Sequence, residues 1–206
     1  MIIGICGLQS SGKDTIGDYL INNYGFKKFS FAETLKDIIS ILFGWDRKKI
    51  EGITLEDRLW REQPDIWWSK ELNIQDFSPR YAMQFIGTDL FRKYFKNDIW
   101  VIILKKKILE YSQSTNIVIT DCRFLNEINM IRDCGAQIIH VYRNLPTWFI
   151  DYKLDKINED NLKKMNIHVS EYAWIKEKYD HLILNSNSLT ELYEVIDLFI
   201  KTFKIL

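Results

Sequence analysis

The stretch Ile2-Ile3-Gly4-Ile5-Cys6-Gly7-Leu8-Gln9-Ser10-Ser11-Gly12-Lys13-Asp14-Thr15 decides how the rest of the chain is read. An apolar run of strand character enters a loop bounded by glycines and carrying a lysine, and an amphipathic pattern from Thr15 to Tyr24 follows it. Gly7, four intervening residues and Gly12-Lys13 satisfy the spacing of a phosphate-binding loop. Glycine at both positions permits backbone angles that a side chain would resist and leaves successive N–H groups aimed inward. A helix beginning near Lys13 adds its positive end, so Gly7, Ser10, Ser11, Gly12, Lys13, Asp14 and Thr15 together form an anion cradle. Lys13 is placed to reach the β and γ phosphates of a nucleotide. Asp14 stands where a serine or threonine is usual, and the hydroxyl arrives one position later. Thr15 is therefore the expected magnesium-side ligand, and Asp14 serves either the metal shell or the substrate side.

Composition narrows the class. With 206 residues, 47% of them hydrophobic, the chain can bury one sizeable core without disulfides, and one domain with insertions is the default. The 28 basic and 28 acidic residues cancel, which argues against general attraction to nucleic acid or to an anionic membrane. Cys6, Cys122 and Cys134 are odd in number and lack metal-ligand spacing, so they read as buried thiols in a reducing compartment. Met1-Ile2-Ile3-Gly4 already reads as core strand, and no apolar run is long enough to span a bilayer. The expectation is a soluble cytoplasmic protein, without nucleic-acid or membrane partners. Its tryptophans and tyrosines could cover a core or build a homodimer interface.

Further along, Phe26 to Phe31 reads as a second strand and Glu33 to Phe43 as a helix with Leu35, Ile38, Ile39 and Leu42 on one face. Asn116 to Thr120, Gln137 to Tyr142 and His181 to Leu184 are three more apolar runs, separated by helical patterns at Leu125 to Cys134 and Leu189 to Phe203. This rhythm predicts an α/β, three-layer fold with a mainly parallel five-stranded sheet, and such sheets hold ligands beyond the carboxyl ends of their strands. Residues 44–77 have poor periodicity and read as an irregular or partly helical insertion rich in tryptophan. Ser78-Pro79 is a cap and first turn for a helix over about 79–95, with an interruption at Gly87, and Asp98 could cap the next, which runs to about Tyr111. Residues 143–171, charged and containing Pro146, suit a mobile lid.

Several side chains beyond the loop have a chemistry to offer. Asp121 and Arg123 follow the apolar run Ile117-Val118-Ile119, where they could hold magnesium and neutralise a phosphate, although Asp121 could also merely cap a helix. Arg80 and Gln84 are four apart and share a helix face; the bland alternative is a solvated surface. Arg92, twelve residues from Arg80, would lie near the same face of an unbroken helix, and two arginines there suit a doubly charged monophosphate. Asp89 could equally pair with Arg92 on a surface. Arg143 begins the lid and could swing onto the transferred phosphoryl group. Near His168 and Glu171 a helix cap by Ser170 is as good a reading as a catalytic one.

The segments Gly7–Thr15 (GLQSSGKDT), Phe29–Lys36 (FSFAETLK), Ser78–Arg92 (SPRYAMQFIGTDLFR) with Asn97–Trp100 (NDIW), Thr120–Glu127 (TDCRFLNE) and His168–Glu171 (HVSE) together resemble the deoxynucleoside monophosphate kinases of tailed bacteriophages and some other viruses and bacteria. The resemblance spans nearly the whole chain and implies a phosphate-loop kinase that uses ATP and Mg2+ to phosphorylate a deoxynucleoside 5′-monophosphate, in the host cytoplasm if the source is viral. Lys13 and Thr15 would serve ATP and metal, and Arg80, Gln84, Arg92 and Trp100 the monophosphate. Asp121 and Arg123 would stand at the reacting junction, with Arg143 and the segment from His168 to Glu171 in the lid. Kinases for dephospho-coenzyme A or phosphomevalonate share the loop and are the alternative. A nucleotide-dependent switch without an acceptor is the reading from another class.

Overall fold

The computed structural model describes residues 1–111 and 115–204. In chain order the elements are β1 (Ile2–Gly7), α1 (Lys13–Tyr24), β2 (Lys27–Phe29), α2 (Glu33–Phe43), α3 (Arg47–Glu51), α4 (Leu55–Glu62), α5 (Ile66–Leu72), α6 (Pro79–Gln84), a π-helix (Phe85–Phe95), α7 (Ile99–Glu110), β3 (Ile117–Ile119), α8 (Leu125–Asp133), β4 (Ala136–Tyr142), α9 (Thr147–Lys153), α10 (Glu159–Lys164), α11 (Val169–Tyr172), β5 (His181–Leu184) and α12 (Leu189–Lys204). They fall into two compact units, one of residues 1–30 and 105–206, the other of residues 31–104.

The first unit holds a wholly parallel sheet in the order β2-β3-β1-β4-β5. β1 is central because its Ile-Ile-Gly-Ile-Cys run has no polar side chain to keep in water, and it is buried from Ile3 to Gly7. On one face Ile3, Ile5, Val118, Ile139, Val141 and Ile183 pack against Ile16 and Leu20 of α1 and Leu192, Ile196 and Ile200 of α12. Gly4 must be glycine, since a Cβ there would come within 2.2 Å of Ile131 Cδ1 on α8. β1 lies between β3 and β4: from β1 the chain goes to β2 on one side, returns through β3 and crosses to β4 on the other, and that reversal opens a crevice at the carboxyl ends of the strands.

The region expected to act as a lid folds into α9, α10 and α11, anchored by buried Phe149, Tyr152, Leu162 and Tyr172. Charge hid that core from the sequence, because each short helix contributes only one or two apolar residues inward.

The second unit is helical and built around aromatic residues. Trp45, Phe77, Ala82, Ile86 and Trp100 are buried with Leu35, Ile39 and Ile50, and Phe43, Trp60 and Trp68 pack against them. The insertion 44–77 is three capped helices of five to eight residues, too short to show a period: Asp46, Thr54 and Asp65 each accept a backbone N–H at an N-terminus. Ser78 caps α6 as expected, but the helix does not break at Gly87. It widens into π geometry, with the N–H of Lys96 reaching back five residues to the carbonyl of Phe91 at 2.9 Å.

Candidate active site

Each of the five strands delivers a polar residue at its carboxyl end: Ser30 after β2, Asp121 after β3, Ser10 and Ser11 after β1, Arg143 after β4 and Asn185 after β5. The loop after β1 curls back on itself, the N–H of Ser11 donating to the carbonyl of Leu8 at 3.2 Å. Ser10 (φ 60°) and Gly12 (φ 103°) both adopt left-handed backbone, which turns consecutive N–H groups to one side. A Cβ on Gly7 would come within 2.6 Å of Ser11 Oγ and 2.7 Å of the Val141 carbonyl, so the loop closes only over glycine. Ser11 is 1% exposed and its Oγ has no hydrogen-bond partner among the described residues. An orphaned hydroxyl inside a nest of N–H groups is the mark of a site completed by an acceptor atom from outside the chain.

Lys13 is 8% exposed and donates from Nζ to the Leu8 carbonyl at 2.6 Å. Burial first and the nearby Arg123 charge second push its pKa down to about 8, against the opposing pull of Asp14, Glu171 and Cys6. The Arg123 guanidinium is held by Glu171 Oε1 and, at 3.4 Å, by the Ser170 carbonyl. Two cations so close stay charged at a cost, which a polyanion between them would remove.

Asp14 has a definite occupation. Its Oδ1 accepts from Thr120 Oγ1 at 2.8 Å and Lys28 Nζ at 3.1 Å, so it ties α1 to the tips of β2 and β3. Burial would raise its pKa, but the Lys28 charge and the Thr120 hydrogen bond prevail and hold it below the usual carboxylate value. Asp121 accepts from Ser30 Oγ at 2.7 Å. Buried Glu127 takes the backbone N–H groups of Arg123 (2.8 Å) and Phe124 (3.1 Å), fixing the turn between Asp121 and α8. At α11 the cap is His168: the N–H of Ser170 donates to its Nδ1 at 3.2 Å, so Ser170 is the capped residue and not the cap. Arg143 is exposed just past β4.

In the second unit Arg80 lies 4.0 Å from Glu62, and buried Arg92 donates to the Asn97 carbonyl at 3.2 Å. In ideal α geometry twelve residues would leave Arg92 about 120° around the axis from Arg80. The π-helix changes that: five residues at about 100° and seven at roughly 80° bring the two back to within about 20°. Gln84 stands at the junction of α6 and the π-helix. Trp100, expected on the substrate, is 3% exposed; its indole N–H donates to the Gly87 carbonyl at 2.9 Å, so its place is behind the π-helix as a support.

Among the described residues no three His, Cys, Asp or Glu side chains converge as a metal cage. A hydroxyl from Thr15 and one carboxylate from Asp121 suit Mg2+, which keeps waters and takes most of its remaining ligands from phosphates. No helix of the described chain is long and apolar enough to cross a membrane.

The family described as deoxynucleotide monophosphate kinase matches this chain over residues 1–74 and 62–196. The chain belongs to that family. A protein of Acanthamoeba polyphaga mimivirus provisionally named a deoxynucleotide monophosphate kinase is 29% identical over 95% of this chain and 94% of its own. The deoxynucleotide monophosphate kinase of Escherichia phage RB69 is 25% identical over 95% and 98%, and that of Enterobacteria phage T4 is 24% identical over 95% and 96%. Among solved structures, a dephospho-CoA kinase from Campylobacter jejuni superposes with a TM-score of 0.51 at 15% identity, covering 98% of this chain and 96% of that one, a likeness of fold.

As a deoxynucleotide monophosphate kinase the chain brings Gly7, Ser10, Ser11, Gly12, Lys13, Asp14, Thr15, Asp121, Arg123, His168 and Glu171 together in one unit, and Arg80, Gln84, Arg92 and Trp100 in the other. Sequence reasoning passed over Lys28 and Asn185, and quoted Ser30 and Glu127 without a role. Asn185 carried the same signal as Asp121, a polar residue just past an apolar run.

Proposed function

We propose that the protein transfers the γ-phosphoryl group of ATP, with Mg2+, to a deoxynucleoside 5′-monophosphate, yielding ADP and the diphosphate. The observation that carries this reading is the pairing of Lys13 and Arg123 beside a loop of inward N–H groups, with the hydroxyl of Ser11 left unpartnered. That arrangement receives a triphosphate and is ill suited to any neutral ligand.

Phosphoryl transfer to a phosphate oxygen needs little proton abstraction, so the work of the side chains is positioning and charge neutralisation. The loop N–H groups hold the β and γ phosphates. Lys13 follows the transferred group, and Arg123 leaves Glu171 to share its charge. Arg143, at the start of the 143–171 segment, joins them, and closure of that segment excludes water that would compete as acceptor. Thr15 and Asp121 would hold Mg2+, which would supply charge neutralisation to the phosphates. Arg80 and Arg92 take the doubly charged acceptor phosphate, Gln84 hydrogen-bonds the base, and Trp100 acts on both through the π-helix. With phage and viral relatives, the working compartment is the host cytoplasm.

A coupled assay of ADP release across all deoxynucleoside and ribonucleoside monophosphates, dephospho-coenzyme A and phosphomevalonate tests this. Turnover with at least one deoxynucleoside monophosphate is expected. Turnover confined to dephospho-coenzyme A or phosphomevalonate, or ADP release indifferent to every acceptor, would overturn it.

A further inference from the structure

We propose that Asn185 is a positioning residue that fixes the orientation of the Ser11–Gly12 peptide, so that the Gly12 N–H faces the bound phosphates. The inference rests on the reading of the loop as the ATP site and adds to it the device that keeps the loop in its binding form.

Asn185 follows β5 directly, and its own N–H donates to the Tyr142 carbonyl at 2.8 Å, extending the β4–β5 ladder one residue past Leu184. Its backbone is therefore as fixed as the sheet itself. Its side chain is 7% exposed, and Nδ2 donates to the Ser11 carbonyl at 2.8 Å. In a planar trans peptide the carbonyl and the following N–H point in opposite directions. Holding the Ser11 carbonyl against the sheet edge thus turns the Gly12 N–H away from β5, toward the interior of the loop.

Gly12 completes the fit. Its φ of 103° is accessible to glycine at little cost, and a Cβ at that position would stand 2.3 Å from Asn185 Nδ2. The amide of Asn185 occupies the space that any other residue at position 12 would need. Were the peptide to flip, a carbonyl oxygen would face the incoming phosphate and a favourable dipole would become a repulsive one. Ser10 and Gly12 both hold left-handed backbone, a region sparsely populated for a residue with a side chain, and the hydrogen bond from Asn185 fixes the peptide between Ser11 and Gly12 in that arrangement.

The test uses the full chain with Asn185→Asp, which keeps the shape but loses the donor, Asn185→Ala, and Asn185→Gln, which keeps the amide on a longer arm. Three quantities are read: the Gly12 amide resonance in the ligand-free protein, affinity for a non-hydrolysable ATP analogue, and KM for the acceptor. In the Asp and Ala variants the Gly12 resonance moves and analogue affinity falls by about tenfold or more, while acceptor KM stays within about twofold and the Gln variant recovers part of the loss. A wild-type protein that binds the analogue alongside Asp and Ala variants that bind it equally well, with Gly12 unmoved, would overturn this inference alone. Equal losses of analogue and acceptor affinity in all three variants would mark general loosening and also overturn it. A wild-type protein that binds no nucleoside triphosphate would overturn the nucleotide reading, and this inference with it.

Discussion

The unit of residues 1–30 and 105–206 sets its charged groups at the ends of strands, whereas the unit of residues 31–104 sets them on the sides of helices. At a strand end the hydrogen-bonded ladder fixes position, and the first polar residue past the apolar run falls at the crevice whatever its neighbours are. On a helix the rotational phase decides which side chains share a face, and phase depends on the number of residues per turn. Arg123 and Lys13 are placed by the first rule, Arg80 and Arg92 by the second. The second is the more fragile, because a change from α to π geometry moves every later residue around the axis.

The largest effect should come from the strand-end unit. Lys13→Met removes the cation proposed to follow the transferred phosphoryl group, and turnover should fall by on the order of 10²-fold or more. The fold should survive. Burial and Arg123 hold Lys13 near a pKa of about 8, below its unfolded value, so its charge costs stability at lower pH and that cost is relieved as pH rises from about 8 to 10.5. Over the same interval kcat/KM should fall, because the deprotonated amine no longer neutralises phosphate. Stability and activity of the wild type therefore move in opposite directions above pH 8, and the methionine variant shows neither slope. Turnover retained in that variant would remove Lys13 from its assigned role.

Next in size is Arg80→Gln. If α6 carries the acceptor phosphate, acceptor KM rises by roughly ten- to a hundredfold while ATP KM stays near the wild-type value. The contact with partly exposed Glu62, at 4.0 Å, itself contributes little to stability. A matching rise in both KM values would erase the functional distinction between the two units.

What the sequence disclosed follows the same division. The five strands were legible because β1, β3 and β4 are runs of isoleucine and valine, and α2 was found from Glu33 to Phe43 by its spacing alone. Asp121 and Arg123 were found by counting past Ile119. Asn185 escaped because Asn185-Ser186-Asn187-Ser188 reads as an ordinary turn. The bond from Lys28 to Asp14 could not be inferred without knowing that β2 pairs in parallel with β3. Gly87 marked an irregularity, but nothing else in Phe85 to Phe95 announces π geometry, and so the phase of Arg92 followed only once the π-helix was seen.

Gly87→Ala probes the π-helix directly. A Cβ there would lie 2.5 Å from Leu35 Cδ2, and Gly87 also supplies the carbonyl that Trp100 holds. Displacing Leu35 in a packed core should cost about 1–3 kcal/mol. Calorimetry should record the loss, and acceptor KM should rise more than ATP KM if the helix orients Arg92. Equal stability with unchanged acceptor KM would show that the wide turns serve no purpose in binding.

The smallest effect at neutral pH, and the one that separates the units by stability, concerns His140. All three histidines of the chain, His140, His168 and His181, lie in the strand-end unit. His140 is fully buried on β4 between Trp174 and Tyr179, and neither ring nitrogen has a hydrogen-bond partner among the described residues. Burial first, then the Lys153 and Arg132 charges, push its pKa down to about 3. The folded chain thus keeps the ring neutral while the unfolded chain protonates it near pH 6.5, so its contribution is full above 6.5 and is lost as pH falls toward 3. His140→Phe, which keeps an aromatic ring without the titration, should flatten the acid limb of thermal stability between those values while leaving stability at pH 7 nearly unchanged. Five of the tryptophans, Trp45, Trp60, Trp67, Trp68 and Trp100, sit in the other unit, so their fluorescence should change later on acidification than far-ultraviolet signals from the sheet. Coincident transitions in the wild type, or an acid limb that persists in the phenylalanine variant, would show that the two units unfold as one or that a different group sets the limit.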